Sequence, residues 1–305
     1  MELFTLYDLV LNNLSKDENK IALEKGNDSL TYGEFDGQCN KIGGFLHNFG
    51  LNKGDRVGIY TTKSLNEIVA MFSISRVGGI FVNLNNKWKI RQLEYAIKDC
   101  GIKILFTDSF RINEIIQSNL IDFLDCIILI GNRLEHEKVV MFSDIDNNYD
   151  CPIIRTIGSD TAGLFYTSGS SGNPKGVMFS HINIIQGAQI VSNYLKNTES
   201  DKVLSVLPFS FDYGFNQITT MFYCHGTLVL LPVFFPAEIV RAINEKNITG
   251  LAGVPSIWIS LSDYLAESNL QLNSLRYITN SGGTIPKHVL EQMAQLFNET
   301  DIYLM

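Results

Sequence analysis

Residues 56–84, RVGIYTTKSLNEIVAMFSISRVGGIFVNL, read as one strand–helix–strand unit. The segment 56–60 is a short apolar strand. Ser64 then stands at an N-cap position with Glu67 three residues on, the spacing of a capping box, and the helix runs to about Val77. A second apolar strand follows at 80–84. Outward from this unit the rhythm repeats: helix 89–99, strand 102–107, helix 110–118, strand 126–131. Apolar strands without strict alternation, separated by helices, predict parallel strands covered on both faces, a layered α/β fold. Residues 132–158 form the most polar irregular stretch and are expected to mark a subdomain boundary.

The second half resumes the alternation with strands at 161–167, 177–180, 203–207, 227–231, 248–253, 275–279 and 301–305. Helices at 182–195, 216–224, 236–246, 256–266 and 286–297 separate them. Before the alternation begins, a capping-box spacing of Thr5 and Asp8 opens a short helix. A hairpin at 21–32 turns at Gly26-Asn27-Asp28, and a helix at 33–49 stops at Gly50. No repeat of 20–50 residues is present.

The chain has 305 residues, with 24 basic and 32 acidic side chains and a net charge of −8. That balance argues against a duplex-binding or membrane-surface protein. Apolar residues make up 45% and charged residues 18%, enough to build a sizeable core and too apolar for a disordered chain. Cys39, Cys100, Cys126, Cys151 and Cys224 are scattered without a CxxC, which reads as free thiols in a reducing compartment. The start MELFTLYDLV has no basic segment followed by an apolar one, and the apolar run around Pro232 and Pro236 is too short to span a bilayer. A cytoplasmic protein is therefore expected.

The chemistry is concentrated in 166-YTSGSSGNPKGV-177. Glycines permit tight and left-handed backbone that turns successive N–H groups toward one point. Thr167, Ser168, Ser170 and Ser171 add short donors, and Lys175 adds a mobile positive charge. The set suits a di- or triphosphate, although composition alone also allows a flexible surface turn. It is not a Walker A loop: Lys175 follows Pro174, Gly176 replaces the hydroxyl residue that would hold magnesium, and a strand follows where a helix is required. The histidines do not cluster, and no metal-ligand spacing is present.

Residues 166–177 resemble the signature loop YTSG(S/T)(T/S)GxPKGV of the adenylate-forming superfamily: acyl-CoA synthetases, luciferases and peptide-synthetase adenylation domains. Further landmarks appear in order. The segment 30-LTYGEF-35 resembles an early family motif, and 74-ISRVGGIFVNLN-85 resembles the helix-to-strand region, with Val82-Asn83 where alanine or valine and proline are commoner. The segment 207-LPFSFDYG-214 resembles the substrate gate, and 278-ITNSGGTIP-286 the adenine strand and turn. The resemblance implies layered parallel-sheet subdomains like those of the family's large N-terminal domain, grouped as 1–50 plus 200–305 and as 54–195.

It also implies a reaction, in which ATP and a small carboxylic acid give an acyl-adenylate and pyrophosphate. The acyl group then passes to a thiol of CoA or of a carrier protein's phosphopantetheine. By position Thr167, Ser168, Gly169, Ser170, Ser171, Gly172 and Lys175 are expected at the phosphates, with Lys175 the catalytic cation, and Gly282, Gly283 and Thr284 at the adenine. Phe211, Asp212, Phe215, Val254 and Pro255 are the substrate-pocket candidates. Asp212 is either a partner for the amino group of an amino-acid substrate or a turn residue in its own right. His181, common at that place in the family, is a candidate positioning residue.

The family's YGxTE segment, whose glutamate holds Mg2+, its ribose-binding aspartate and its small C-terminal domain are not found in these 305 residues. The reading is thus of a truncated large domain, expected to be inactive alone. Two alternatives stay open: an amino-acid-activating domain, and a non-catalytic nucleotide- or partner-binding module.

Overall fold

The computed structural model describes residues 2–167, 174–268 and 270–305. In chain order the elements are α1 (Asp8–Asp17), β1 (Ile21–Lys25), β2 (Asp28–Thr31), α2 (Tyr32–Asn48), β3 (Arg56–Tyr60), α3 (Leu65–Arg76) and β4 (Ile80–Asn83). They continue with α4 (Ile90–Cys100), β5 (Ile104–Asp108), α5 (Ile112–Gln117), β6 (Cys126–Ile130), β7 (Val139–Met141), β8 (Thr161–Thr167), β9 (Lys175–Ser180) and α6 (His181–Tyr194). The last elements are β10 (Lys202–Ser205), α7 (Asp212–Cys224), β11 (Thr227–Leu230), α8 (Pro236–Lys246), β12 (Gly250–Gly253), α9 (Pro255–Ser268), β13 (Tyr277–Asn280), α10 (Lys287–Leu296) and β14 (Asp301–Leu304). The α/β alternation expected from the sequence is therefore present.

The chain divides into two compact units. The first comprises Met1–Lys20, Leu30–Gly187 and Phe209–Asp212, and the second Ile21–Ser29, Ala188–Pro208 and Tyr213–Met305. The sheet of the first unit has the order β7-β6-β5-β3-β4-β8-β9, parallel from β7 to β8. Its last pair, β8 and β9, is antiparallel. The reason is length: the short connection at 168–174 can return a strand only antiparallel, whereas a parallel return needs a crossover of a dozen or more residues.

Helix α3 opens as its sequence demands, with Ser64 Oγ accepting the Glu67 N–H at 3.2 Å. All five residues of β5 are buried, in line with strands covered on both faces. Tyr60, Val82, Leu105, Ile127 and Leu129 join Leu93 and Ile97 of α4 in one apolar cluster of this unit. Burying apolar surface at about 25 cal/mol per Å² makes such a cluster the main source of its stability.

Residues 132–158 are not a boundary; they lie inside the first unit and include β7. Their last part is held to α3 by polar contacts: the Ile154 N–H donates to Arg76 O at 3.0 Å and Arg76 Nε donates to Cys151 Sγ at 3.2 Å. The grouping of residues 1–50 with 200–305 also needs correction, since only Ile21–Ser29 go with the second unit. The reason is strand pairing. β1 lies parallel to β11, with Leu23 opposite Leu228, whereas α2 packs on α3.

The second unit has the sheet order β14-β13-β12-β10-β11-β1-β2, parallel from β14 through β1. Its core joins Leu204, Val229, Leu251 and Ile278 of the strands to Ile243 of α8, Trp258 and Leu261 of α9, and Met293 of α10. At the sheet's other end buried Glu24 takes Lys202 and Lys246 as partners at 3.2 and 3.0 Å, and these cations hold its carboxyl below the usual carboxylate range despite that burial.

Among the described residues no helix is long and apolar enough to cross a membrane.

Candidate functional site

Open parallel sheets present ligands at the carboxyl ends of their strands; Thr167 falls there in the first unit, and Val254, Gly282 and Gly283 in the second. In the first unit Thr167 ends β8 and Lys175 opens β9; the two are register partners, and both are exposed. Ser168, Gly169, Ser170, Ser171 and Gly172 lie outside the described residues. The base of the loop is pinned from below. Buried Tyr166 donates its hydroxyl to Asp99 at 2.6 Å, lies 2.9 Å from Cys100 Sγ, and packs edge-on to Trp88. Burial first, then the Asp99 bond, raises the proton affinity of this phenol, so it remains a donor. A ladder anchored at Tyr166 and open at Thr167 and Lys175 fixes where the loop leaves and rejoins the sheet.

His181, the first residue of α6, takes a structural job. It is buried, its Nδ1 accepts the Leu6 N–H at 3.1 Å, and burial lowers its pKa to about 4. A neutral imidazole is thus part of how the N-terminal segment is tied down. Phe211 and Asp212 are exposed and belong to the first unit. Asp212 is also the first residue of α7, where a carboxylate complements the helix dipole.

In the second unit Gly282 and Gly283 follow β13 with φ of +80° and +159°, left-handed backbone that only glycine adopts at low cost. They face the turn after β12: a Cβ on Gly282 would meet Val254 at 3.5 Å, and one on Gly283 would meet Pro255 at 3.2 Å. These four candidates therefore form one surface, with Thr284 exposed beside them. Phe215, by contrast, is buried within α7.

Sequence reasoning passed over Asn280. Its Nδ2 donates to Gly283 O at 3.0 Å, bracing the glycine pair, and its Oδ1 is buried with no hydrogen-bond partner among the described residues. It stands inside the quoted 278–286 segment, so an amide before two glycines was the available signal. Tyr213 was also passed over; its hydroxyl meets Thr279 Oγ1 at 2.6 Å.

Four of the five thiols show no activation. Burial raises the proton affinity of Cys39, Cys100, Cys126 and Cys151 alike, the opposite of an activated thiolate. Among the described residues no group of three or more His, Cys, Asp or Glu gathers at metal-binding distance, so nothing here assigns ligands to Mg2+.

The model of the AMP-binding enzyme family matches residues 11–305. Gramicidin S synthase 2 of Brevibacillus brevis is 27% identical over 98% of this chain, which spans 6% of that much longer protein. A long-chain-fatty-acid–CoA ligase of Bacillus subtilis is 23% identical over 96% of the chain, which spans 58% of its length. The crystal structure of the anthranilate CoA ligase AuaEII in complex with anthranoyl-AMP superposes with a TM-score of 0.91 at 24% identity, over 99% of this chain and 60% of that one. With a family model matched over nearly its whole length, the signature loop closed by β8 and β9, and the glycine pair after β13, the chain belongs to the AMP-binding enzyme family.

Proposed function

We propose that the protein carrying these residues activates a carboxylic acid with ATP. A carboxylate oxygen attacks the α-phosphorus, the bond to the bridging oxygen breaks, and pyrophosphate leaves, giving an acyl-adenylate. A thiol of CoA or of a carrier protein's phosphopantetheine then attacks the acyl carbonyl and releases AMP. The reaction needs no side-chain nucleophile; it needs charge neutralisation around the leaving pyrophosphate and fixed placement of the carboxylate.

Residues 167–172 and Lys175 hold the β- and γ-phosphates in this reading, and Gly282, Gly283 and Thr284 receive the adenine against their backbone. The acid-side candidates are Phe211 and Asp212 in the first unit and, in the second, Val254, Pro255 and Phe215, the last buried in α7. When bound, Mg2+ supplies further neutralisation of the phosphates. The observation that carries the reading is the register pair Thr167 and Lys175, which closes a Ser/Gly loop at the carboxyl edge of a parallel sheet.

The test is ATP–pyrophosphate exchange by the protein carrying this chain, across fatty, aryl, hydroxy and amino acids. Acid-dependent exchange is expected. ATP binding with no exchange for any acid would favour a nucleotide-binding module instead.

A further inference from the structure

Lys63 is a costly side chain to bury in the first unit. It is 7% exposed, and it immediately precedes Ser64, the N-cap of α3, where the helix dipole disfavours a cation. A leucine or methionine would fill the same space without the cost of desolvating an ammonium. Burial lowers its pKa to about 7, with Glu67 acting in the opposite sense. Glu67 is itself buried, and its Oε1 accepts Asn83 Nδ2 at 3.0 Å. Among its contacts, Lys63 Nζ lies over the ring of Phe209, 4.4 Å from the centroid. Phe209 is buried, whereas Phe211, two residues on, is 42% exposed. The segment Phe209–Asp212 belongs to the first unit, as Lys63 does, while the residues on either side of it belong to the second.

We propose that Lys63 is a positioning residue for acid recognition: its ammonium, seated on Phe209, fixes the segment Phe209–Asp212 and so pre-sets Phe211 and Asp212 for the carboxylic acid. The inference rests on the acid-activation reading above. A desolvated cation over an aromatic face is a strong and directional contact, and the long apolar stem of lysine packs beneath it. Arginine reproduces the cation over the ring; methionine reproduces only the stem.

The experiment places a single fluorine on the ring of Phe209 in the 305-residue chain. Its resonance is followed in the wild type, Lys63→Met and Lys63→Arg, alone and with a panel of carboxylic acids, beside ATP affinity and the denaturation midpoint. Lys63→Met is expected to move the resonance and to weaken discrimination among acids by about tenfold, with ATP affinity held within about twofold. Lys63→Arg is expected to restore discrimination. An unmoved resonance, or acid discrimination indifferent to Lys63, overturns the inference while leaving acid activation intact. Loss of acid response, ATP affinity and midpoint together overturns it in favour of a purely structural role. If no acid moves the resonance in any protein, the acid-side assignment of this segment falls, and the inference with it.

Discussion

Thr167 stands opposite Lys175 across the antiparallel ladder of β8 and β9, so the signature loop is a closed excursion from two partnered residues. The Tyr166 side chain, one residue earlier, is buried and bonded to Asp99 at 2.6 Å. The residues at which the loop leaves and rejoins the sheet are thus held by the strand ladder and by a buried, hydrogen-bonded side chain.

Gly214 tests how tightly the 207–214 segment is built. A Cβ there would sit 2.1 Å from Pro208 O, a backbone atom that cannot swing away. Gly214→Ala is expected to destabilise the chain by about 2 kcal/mol or more, as overpacking does. Urea denaturation measures this; an unchanged midpoint would contradict the packing described.

His181 predicts an acid-side loss of stability. Its folded pKa, about 4, lies below the ordinary value of 6.5, so the unfolded chain takes up its proton first as pH falls. The contribution of the neutral ring is complete above pH 6.5, is lost progressively toward pH 4, and amounts to about 3 kcal/mol in all. His181→Phe is expected to be less stable at neutral pH, because the Leu6 N–H loses its acceptor, yet to lose less on acidification. Equal pH slopes for the two proteins in denaturant titrations would refute this.

Arg76 and Lys98 should part company. Arg76 is buried and donates to Tyr7 at 2.6 Å, to Asp36 and Asn40 at 3.0 Å, and to Cys151. Removing it strands buried polar partners, and Arg76→Met is expected to cost about 3–5 kcal/mol. Lys98 pairs with Glu94 one helical turn away at a half-exposed site, and Lys98→Ala should cost under about 0.5 kcal/mol. Denaturation midpoints of the two variants provide the comparison, and similar losses would sink it.

The elements that could be read in advance were those governed by local chemistry. Ser64 and Glu67 announce α3, Gly50 ends α2, and the apolar runs of β3, β5 and β6 declare buried strands. β7 escaped because three residues, Val139–Met141, are too short to show a period. The grouping of residues 1–50 with the second half covers β1, but its pairing with β11 and the return of residues 30–50 to the first unit depend on contacts between residues far apart in sequence, which no local pattern encodes. The site divides in the same way. The glycine pair and Lys175 are legible from the motifs that contain them. The Tyr166–Asp99 bond and the Lys63–Phe209 contact join residues distant in sequence, and local reading gives Lys63 only as the residue before a helix cap.

If the β8–β9 loop holds the phosphates of ATP, as proposed, titration of the 305-residue chain with ATP, followed by calorimetry and phosphorus NMR, reads this out. Lys175 is exposed at the start of β9, so Lys175→Ala leaves the core untouched. Saturable binding is expected, with the β- and γ-phosphorus resonances shifted most, weakened about tenfold or more in Lys175→Ala, as loss of a charged hydrogen bond entails, at an unchanged denaturation midpoint. Binding of equal strength in the two proteins, or phosphorus resonances indifferent to the chain, would contradict it.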